Sequence, residues 1–462
     1  MTYLWLPLGL ALPTFIGWCV LRILEGRTPV LFQAERIVAG LCVGIIGTMF
    51  DTFILHIVGI IDFSLIEMLC VQLLASLFLG GYCYLKRDQF PKSPVASREK
   101  LLPWQKILTV IIGLWIAAKL IAGFIFLIGP PYYDDVMNNW NMRGKAFFVQ
   151  QELILQIEPG KDNGVASYPQ AVPMFKTWLA NLNGEWHEGL VNSVHIVWYM
   201  CALGLVFFGL RRLVSLPWAM LGVYILSSIP LYSMHGMIAY TDLYLSILLF
   251  LSVSWLFFAA KNTGAERMSF IRIASIVTGL LVFSKNEALL LHMPPIVLLV
   301  LVTMFLSSFT KSEKKQTLAW YTVLISSCLI PWIAFKSYFD LAFGNAKSIS
   351  SFSIEWHEGV LSAIGFNTLF EGNWGLLPVL FVGLCIAQWK KVLLTPLSIL
   401  VGFVLIVWLG QLPIYMFTSL YIEALNQTGY ARGLIHLVPL VVMVTTLLLH
   451  SILHRKKEEL SV

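Results

Sequence analysis

The chain has 462 residues, of which 58% are hydrophobic and 12% charged, with a net charge of +6 at pH 7. A soluble protein of this length carries about twice that charged fraction, so an all-α polytopic membrane protein is expected. The lysines and arginines fall in short loops between apolar runs, which sets topology and excludes nucleic acid as the partner.

Apolar runs long enough to cross a bilayer as helix recur at 3–24, 37–61, 64–85, 103–129, 189–210, 217–234, 239–260, 270–285, 288–308, 317–338, 374–389, 394–417 and 432–453. That makes about thirteen spans of about 20 residues each. The first has no basic segment before it and no small-residue cleavage site after it, so it reads as a retained helix. The seven cysteines lie in or beside apolar runs and indicate no disulfide framework. With this span list every basic cluster falls on one side: Lys86 to Lys106 (with Arg98), Arg211 and Arg212, Lys261 to Arg272, Lys311 to Lys315, Lys390 and Lys391, and Arg455 to Lys457. That side is the cytoplasm. The loops 130–188, 339–373 and 418–431 then face outside. The chain divides into N-terminal helices and a cytoplasmic loop (1–100), a module with the large first outer loop 130–188 (101–338), and a second outer loop with the C-terminal helices (339–462).

The loop 130–188 is the longest polar stretch. Pro130 and Pro131 end the preceding span. Val136, Trp140, Arg143 and Phe147 share one helical face, which predicts a helix lying along the membrane interface. A turn is expected from Gly160 to Gly164, and a second short segment after Pro169 and Pro173.

Asp134 and Asp135 open this loop. A carboxylate there suits a general base for sugar transfer; the pair could also hold a cation, or simply cap a helix. Asp242, Lys285, Glu287 and Arg432 lie near the outer ends of spans, where ionisable groups line a cavity or pair with each other. Lys285 and Arg432 suit a phosphate; snorkelling or a Lys285–Glu287 salt bridge explains them equally well. Asp51 and His56, inside the second span, read as helix–helix hydrogen bonding. EWHEG occurs twice, from Glu185 and from Glu355. His187 and His357 could share a divalent metal with Asp134 and Asp135, or the repeat is chance. Aromatics such as Phe352, Trp356 and Phe366 suit sugar stacking or interface packing.

The segment YDDVMNNWNMRGKA, from Tyr133, resembles the first outer-loop motif of bacterial GT-C glycosyltransferases, in the group of aminoarabinose transferases and protein O-mannosyltransferases. Asp135, Trp140, Arg143 and Lys145 fit its order. SYPQAVPMFKTWL, with Tyr168, is similar to the Tyr-Pro motif of that group. YTDLYLSILLF, GLLVFSKNEALLL and ARGLIHLVPL resemble its later motifs through Asp242, Lys285 with Glu287, and Arg432. The matches run from residue 133 to 440. The chain departs in having three spans before the motif-bearing module and no large domain after the last span.

The resemblance implies a GT-C-like bundle with interfacial helices in the first outer loop. It implies an inverting transferase moving a sugar from a polyprenyl-phosphate donor to a lipid-linked glycan or lipopolysaccharide-type acceptor. Asp135, or Asp134, would be the base, and Arg432, Lys285, Glu287, Asp242, Tyr168, Arg143 and Lys145 would bind the donor. The place would be the bacterial inner membrane, with the site facing the periplasm. A glycan polymerase or ligase, or a transporter of polyprenyl lipid or sugar, is the alternative.

Overall fold

The computed structural model describes residues 2–96, 99–156, 165–342 and 355–459. Arg98, the Gly160–Gly164 turn and Phe352 lie outside the described residues. Among those described, every regular element is helical. The first four long helices are α1 (Trp5–Glu25), α2 (Gln33–Ile57), α3 (Leu65–Leu85) and α4 (Pro103–Ile128). The first outer loop holds α5 (Met142–Gln150) and α6 (Ala171–Asn183). Then follow α7 (Glu188–Arg211), α8 (Leu216–Ser228), α9 (Pro230–Gly236), α10 (Asp242–Lys261), α11 (Gly264–Leu280), α12 (Met293–Leu306) and α13 (Lys311–Tyr338). The last third has α14 (Val360–Leu369), α15 (Leu377–Ala387), α16 (Trp389–Leu394), α17 (Leu397–Phe417), α18 (Tyr421–Leu425), α19 (Gly429–Ile435) and α20 (Val438–Glu459).

Among the described residues nine helices are long and apolar enough to cross a membrane, or up to eleven if the bent pairs α8–α9 and α19–α20 each count as one span. The other two expected spans are the 17-residue α11 and the 11-residue α15. A three-residue 3-10 turn, Leu281–Phe283, extends α11 to roughly 31 Å, which matches a hydrocarbon core, whereas α15 reaches only about 16 Å. Hydropathy windows see apolar length and miss breaks in the helix, so the count of about thirteen is too fine a reading.

Helices α1 and α2 touch backbone to backbone. A methyl group on Gly17 would sit 2.6 Å from the Gly44 nitrogen, and one on Gly40 2.7 Å from the Trp18 nitrogen. Gly40 and Gly44 are four residues apart on one face, the small-residue spacing that lets helices pack closely where lipid offers no hydrophobic drive.

The bend between α8 and α9 is 81°. Pro230 has no N–H to continue the ladder, so the last carbonyls of α8 need other donors. Lys119, inside α4, supplies them: its Nζ lies 2.6 Å from the Ser227 carbonyl oxygen and 3.3 Å from Ser233 Oγ. Its charge also complements the negative end of α8. The bend swings His235 towards the start of α10, where it matters for the site.

The first outer loop follows the expected face: Val136, Trp140, Arg143 and Phe147 are all buried. Its opening turn, Val136–Asn141, is a π-helix. The second segment, α6, is a buried wedge. Trp178 Nε1 donates to the Gly9 carbonyl in α1 (3.0 Å), and Asn181 Nδ2 to the Phe63 carbonyl before α3 (2.6 Å). The N-terminal helices thus brace the loop from behind. His56, at the end of α2, meets the Ile61 carbonyl at 2.8 Å and accepts from the Leu153 N–H at 3.3 Å. Asp51 is on an exposed face.

Candidate functional site

The site lies at the end of the bundle opposite the basic loops, where α4 ends and α10 begins. Asp242, the first residue of α10, is fully buried. Its Oδ1 lies 2.7 Å from Lys285 Nζ and 3.3 Å from His436 Nε2. Its Oδ2 lies 3.1 Å from an Arg432 terminal nitrogen, 3.2 Å from Arg432 Nε and 3.5 Å from His235 Nδ1. One carboxylate therefore gathers two cations and two imidazoles from three separate segments. The other terminal nitrogen of Arg432 donates to Asp135 Oδ2 at 2.6 Å, and its guanidinium sits 4.8 Å over the Tyr240 ring. Lys285 reaches Glu287 Oε1 at 2.9 Å. The result is a chain of alternating charge, Asp135–Arg432–Asp242–Lys285–Glu287. His292 Nε2 lies 3.3 Å from His436 Nδ1 and extends the chain into the core.

This chain borders a cavity of about 590 Å³, within the size range of ligand pockets. Asp134, Asp135 and Trp140 line it from the first outer loop, together with Tyr168. Lys285, Asn286 and Glu287 line it from the turn after α11, Gln411 and Tyr415 from α17, and Arg432 and His436 from the bent pair. The π-helical turn widens the backbone just after Asp135. Trp140 packs edge-on to Tyr168, 5.9 Å between centroids, and burial raises the Tyr168 phenol above its ordinary pKa.

Of the residues expected at the site, Asp135, Asp242, Lys285, Glu287, Arg432 and Tyr168 come together. Asp134 lines the outer lip and accepts from Asn138 Nδ2. Arg143 and Lys145 do not reach the cavity. Arg143 is buried and pins the loop: it donates to Asn139 Oδ1 (3.2 Å), to the Tyr168 carbonyl (2.9 Å) and to Gln170 Oε1. That burial lowers its pKa to about 9. It acts through Tyr168 and the π-helical turn, as a positioning residue. Lys145 is exposed on the far side of α5. His187 caps α7 by accepting from the Leu190 N–H (3.1 Å), and His357 stacks on Tyr421 at 3.8 Å. Among the described residues no three His, Cys, Asp or Glu side chains come together as a metal site would require.

Sequence reasoning missed His235, His292, His436 and Gln411. The signal was present for the histidines: each interrupts an apolar run, and His436 follows Arg432 by one helical turn.

Lys176 was also missed. It is buried in α6 and donates to Asn141 Oδ1 (2.5 Å) and Asn192 Oδ1 (2.9 Å); Asn141 in turn donates to Glu188. Burial lowers its pKa to about 7, with Glu188 opposing. Between about pH 7 and about pH 10 the unfolded chain holds a proton that the folded one has released, so stability rises with pH across that window. Limited proteolysis of the outer loop is expected to slow as pH rises through it, and Lys176→Met to remove that response. An equal pH response in the variant would show that Lys176 is not its source.

Fold and site together define a polytopic, helical membrane protein with a charged cavity at one end of its bundle. Two solved structures that share this fold are of ArnT from Cupriavidus metallidurans, one in the apo state and one bound to undecaprenyl phosphate. Each aligns at a TM-score of 0.52 and 14% sequence identity, over 74% of this chain and 60% of that one. The chain thus spans well under two thirds of ArnT. The resemblance to the aminoarabinose-transferase group is met at the level of fold. No protein-family model matches the chain, and no curated protein does.

Proposed function

We propose that the chain is an inverting membrane glycosyltransferase that takes its sugar from a polyprenyl-phosphate donor. The observation that supports this most is Arg432 shared between Asp135 and Asp242, with Lys285 beside it, on the wall of one cavity. Two cations held together by carboxylates can exchange a carboxylate for a phosphate, and arginine offers a fork that fits phosphate oxygens. Undecaprenyl phosphate bound to ArnT, which has the same fold, supports the same donor class.

In this mechanism the donor phosphate takes up Arg432 and Lys285. Asp135, released from Arg432, accepts the proton of the acceptor hydroxyl. The acceptor oxygen attacks the anomeric carbon from the face opposite the phosphate. The bond from that carbon to the phosphate oxygen breaks, with its electrons going to the phosphate, and configuration inverts. The acceptor, a lipid-linked glycan or lipopolysaccharide-type molecule, reaches Asp135 over the lip formed by Asp134 and Asn138. Asp134 and Asp135 are engaged by Asn138 and Arg432, and the proposed steps use these side chains alone. The basic loops at the opposite end of the bundle support a site on the outer face of a bacterial inner membrane.

The test is binding of undecaprenyl phosphate and sugar transfer by the protein in nanodiscs. Arg432→Ala is expected to weaken undecaprenyl phosphate at least about tenfold, since a charged hydrogen bond is worth about 1.5–3 kcal/mol. Unchanged affinity would remove Arg432 from the donor site, and no binding to the wild type would overturn the reading. A glycan ligase or polymerase is the second reading, because Arg432 and His436 line the same cavity. Dependence on His436 with indifference to Asp135 would select it.

A further inference from the structure

Three buried side chains that line the cavity carry polar atoms with no partner among the described residues: Trp140 Nε1, both amide atoms of Asn286, and Gln411 Oε1. Trp140, Asn286 and Gln411 are 1%, 3% and 0% exposed. Glu287 Oε2 is unmet as well, its other oxygen being held by Lys285. A buried polar group without a partner costs about 1–3 kcal/mol, and buried polar groups are as a rule satisfied. Several unmet groups on one cavity wall point to a ligand that meets them.

The backbone makes room for the arrangement. Gln411 Nε2 donates to the Val407 carbonyl at 3.3 Å, and the amide oxygen, turned towards Gly433, has no donor among the described residues. That oxygen stands where a Cβ at position 433 would lie, and only glycine, as at Gly433, leaves the space.

Resting on the function proposed above, we infer that Trp140, Asn286, Glu287 and Gln411 select the transferred glycosyl group by its hydrogen-bond donors. The unmet atoms are acceptor-rich: Glu287 Oε2, Gln411 Oε1 and Asn286 Oδ1 accept, while Asn286 Nδ2 and Trp140 Nε1 donate. Among the described lining residues the carboxylates Asp134, Asp135 and Glu287 stand against two cations, Lys285 and Arg432. Both cations are taken by the donor phosphate. A sugar bearing a carboxylate would meet acids with no counter-charge left. The group this wall accepts has free hydroxyl or amino donors and no carboxylate. Trp140 and Tyr168 supply the aromatic faces beside it.

The experiment measures binding to the protein in nanodiscs of undecaprenyl phosphate and of its glucosyl, glucosaminyl and glucuronosyl esters. The glucuronosyl ester is expected to bind at least about tenfold more weakly than the glucosyl ester, the scale on which buried polar groups left unpaired discriminate. Tighter binding of the glucosaminyl ester assigns Glu287 to an amine; equal binding assigns it to hydroxyls. Gln411→Leu, and Trp140→Phe, which keeps an aromatic ring and loses the N–H, are each expected to weaken the preferred ester about tenfold and bare undecaprenyl phosphate less than about twofold. The inference is overturned if the glucuronosyl ester binds as well as the glucosyl ester, or if both variants weaken the bare phosphate as much as the sugar ester. Failure of the wild type to bind undecaprenyl phosphate at all strikes the function proposed above instead.

Discussion

An Asp135→Asn protein is expected to keep its affinity for undecaprenyl phosphate and to transfer sugar about 10²–10⁴-fold more slowly, the range supplied by a positioned general base. Asparagine keeps the shape of the side chain, and its amide oxygen can still accept from Arg432. What it loses is the capacity to take a proton. Arg432 stays anchored in the variant, because its Nε and second terminal nitrogen are on Asp242 at 3.2 and 3.1 Å. The donor-binding cations are therefore still in place. Asp134 gives the control. It is exposed and bonded to Asn138, away from Arg432, so Asp134→Asn is expected to slow transfer less than about tenfold. Single-turnover transfer with saturating donor separates the outcomes. Full turnover in Asp135→Asn would remove the base from the mechanism, and a larger loss in Asp134→Asn would move the role one residue back.

The same contact carries a second meaning. With no phosphate present, Asp135 is tied to Arg432 and its Oδ2 is occupied by that hydrogen bond. When the donor phosphate competes for Arg432, the base is freed as the leaving group arrives. Donor binding and base activation then share one side chain.

How much of this could be read from the residues alone depended on the kind of signal. The acid pair, Asp242, Lys285 with Glu287, and Arg432 each stand beside an apolar run, where charge is conspicuous, and their order along the chain matched a known pattern. Asp135, Asp242, Lys285, Glu287 and Arg432 reached the cluster, and Asp134 reached only the lip of the cavity. Arg143 belonged to the same pattern but packs as a brace, because pattern order does not say which way a side chain points. Gln411 carries no charge and sits in an apolar helix, so nothing local separates it from a helix-packing amide. Lys119 is similar: its partner Ser227 is 108 residues away, and only the bend at Pro230 creates the need for it. The exact number of spans was not legible for the same reason, since bends depend on partners that hydropathy does not register. The outer-loop face at Val136, Trp140, Arg143 and Phe147 was legible because helical periodicity reports burial directly, although it could not tell a membrane interface from a protein interior.

Asp242 is the group on which the cluster depends, and its replacement makes a prediction of unusual sign. Asp242→Leu leaves Lys285 and Arg432 facing Glu287 and Asp135 alone, with His235 and His436 released. Breaking a buried pair by removing one partner costs about 3–5 kcal/mol, since the remaining charge has nothing to offset it. Asp242→Asn keeps the side-chain shape and one accepting oxygen, and loses the charge and the second acceptor, so its cost is smaller than that of leucine. Both variants raise the net positive charge beside the cavity by one. An anion that binds there then stabilises the variant more than it does the wild type, because a ligand that binds the folded state adds to its stability according to its affinity. Thermal melting in nanodiscs is expected to show a lowered Tm for Asp242→Asn. Added undecaprenyl phosphate is then expected to raise that Tm further than it raises the wild type. An unchanged Tm without ligand would mean that Asp242 does not hold the cluster together. A lowered Tm with no extra rise on adding the lipid would mean that Lys285 and Arg432 do not face the phosphate, and the donor site would have to be sought elsewhere in the cavity.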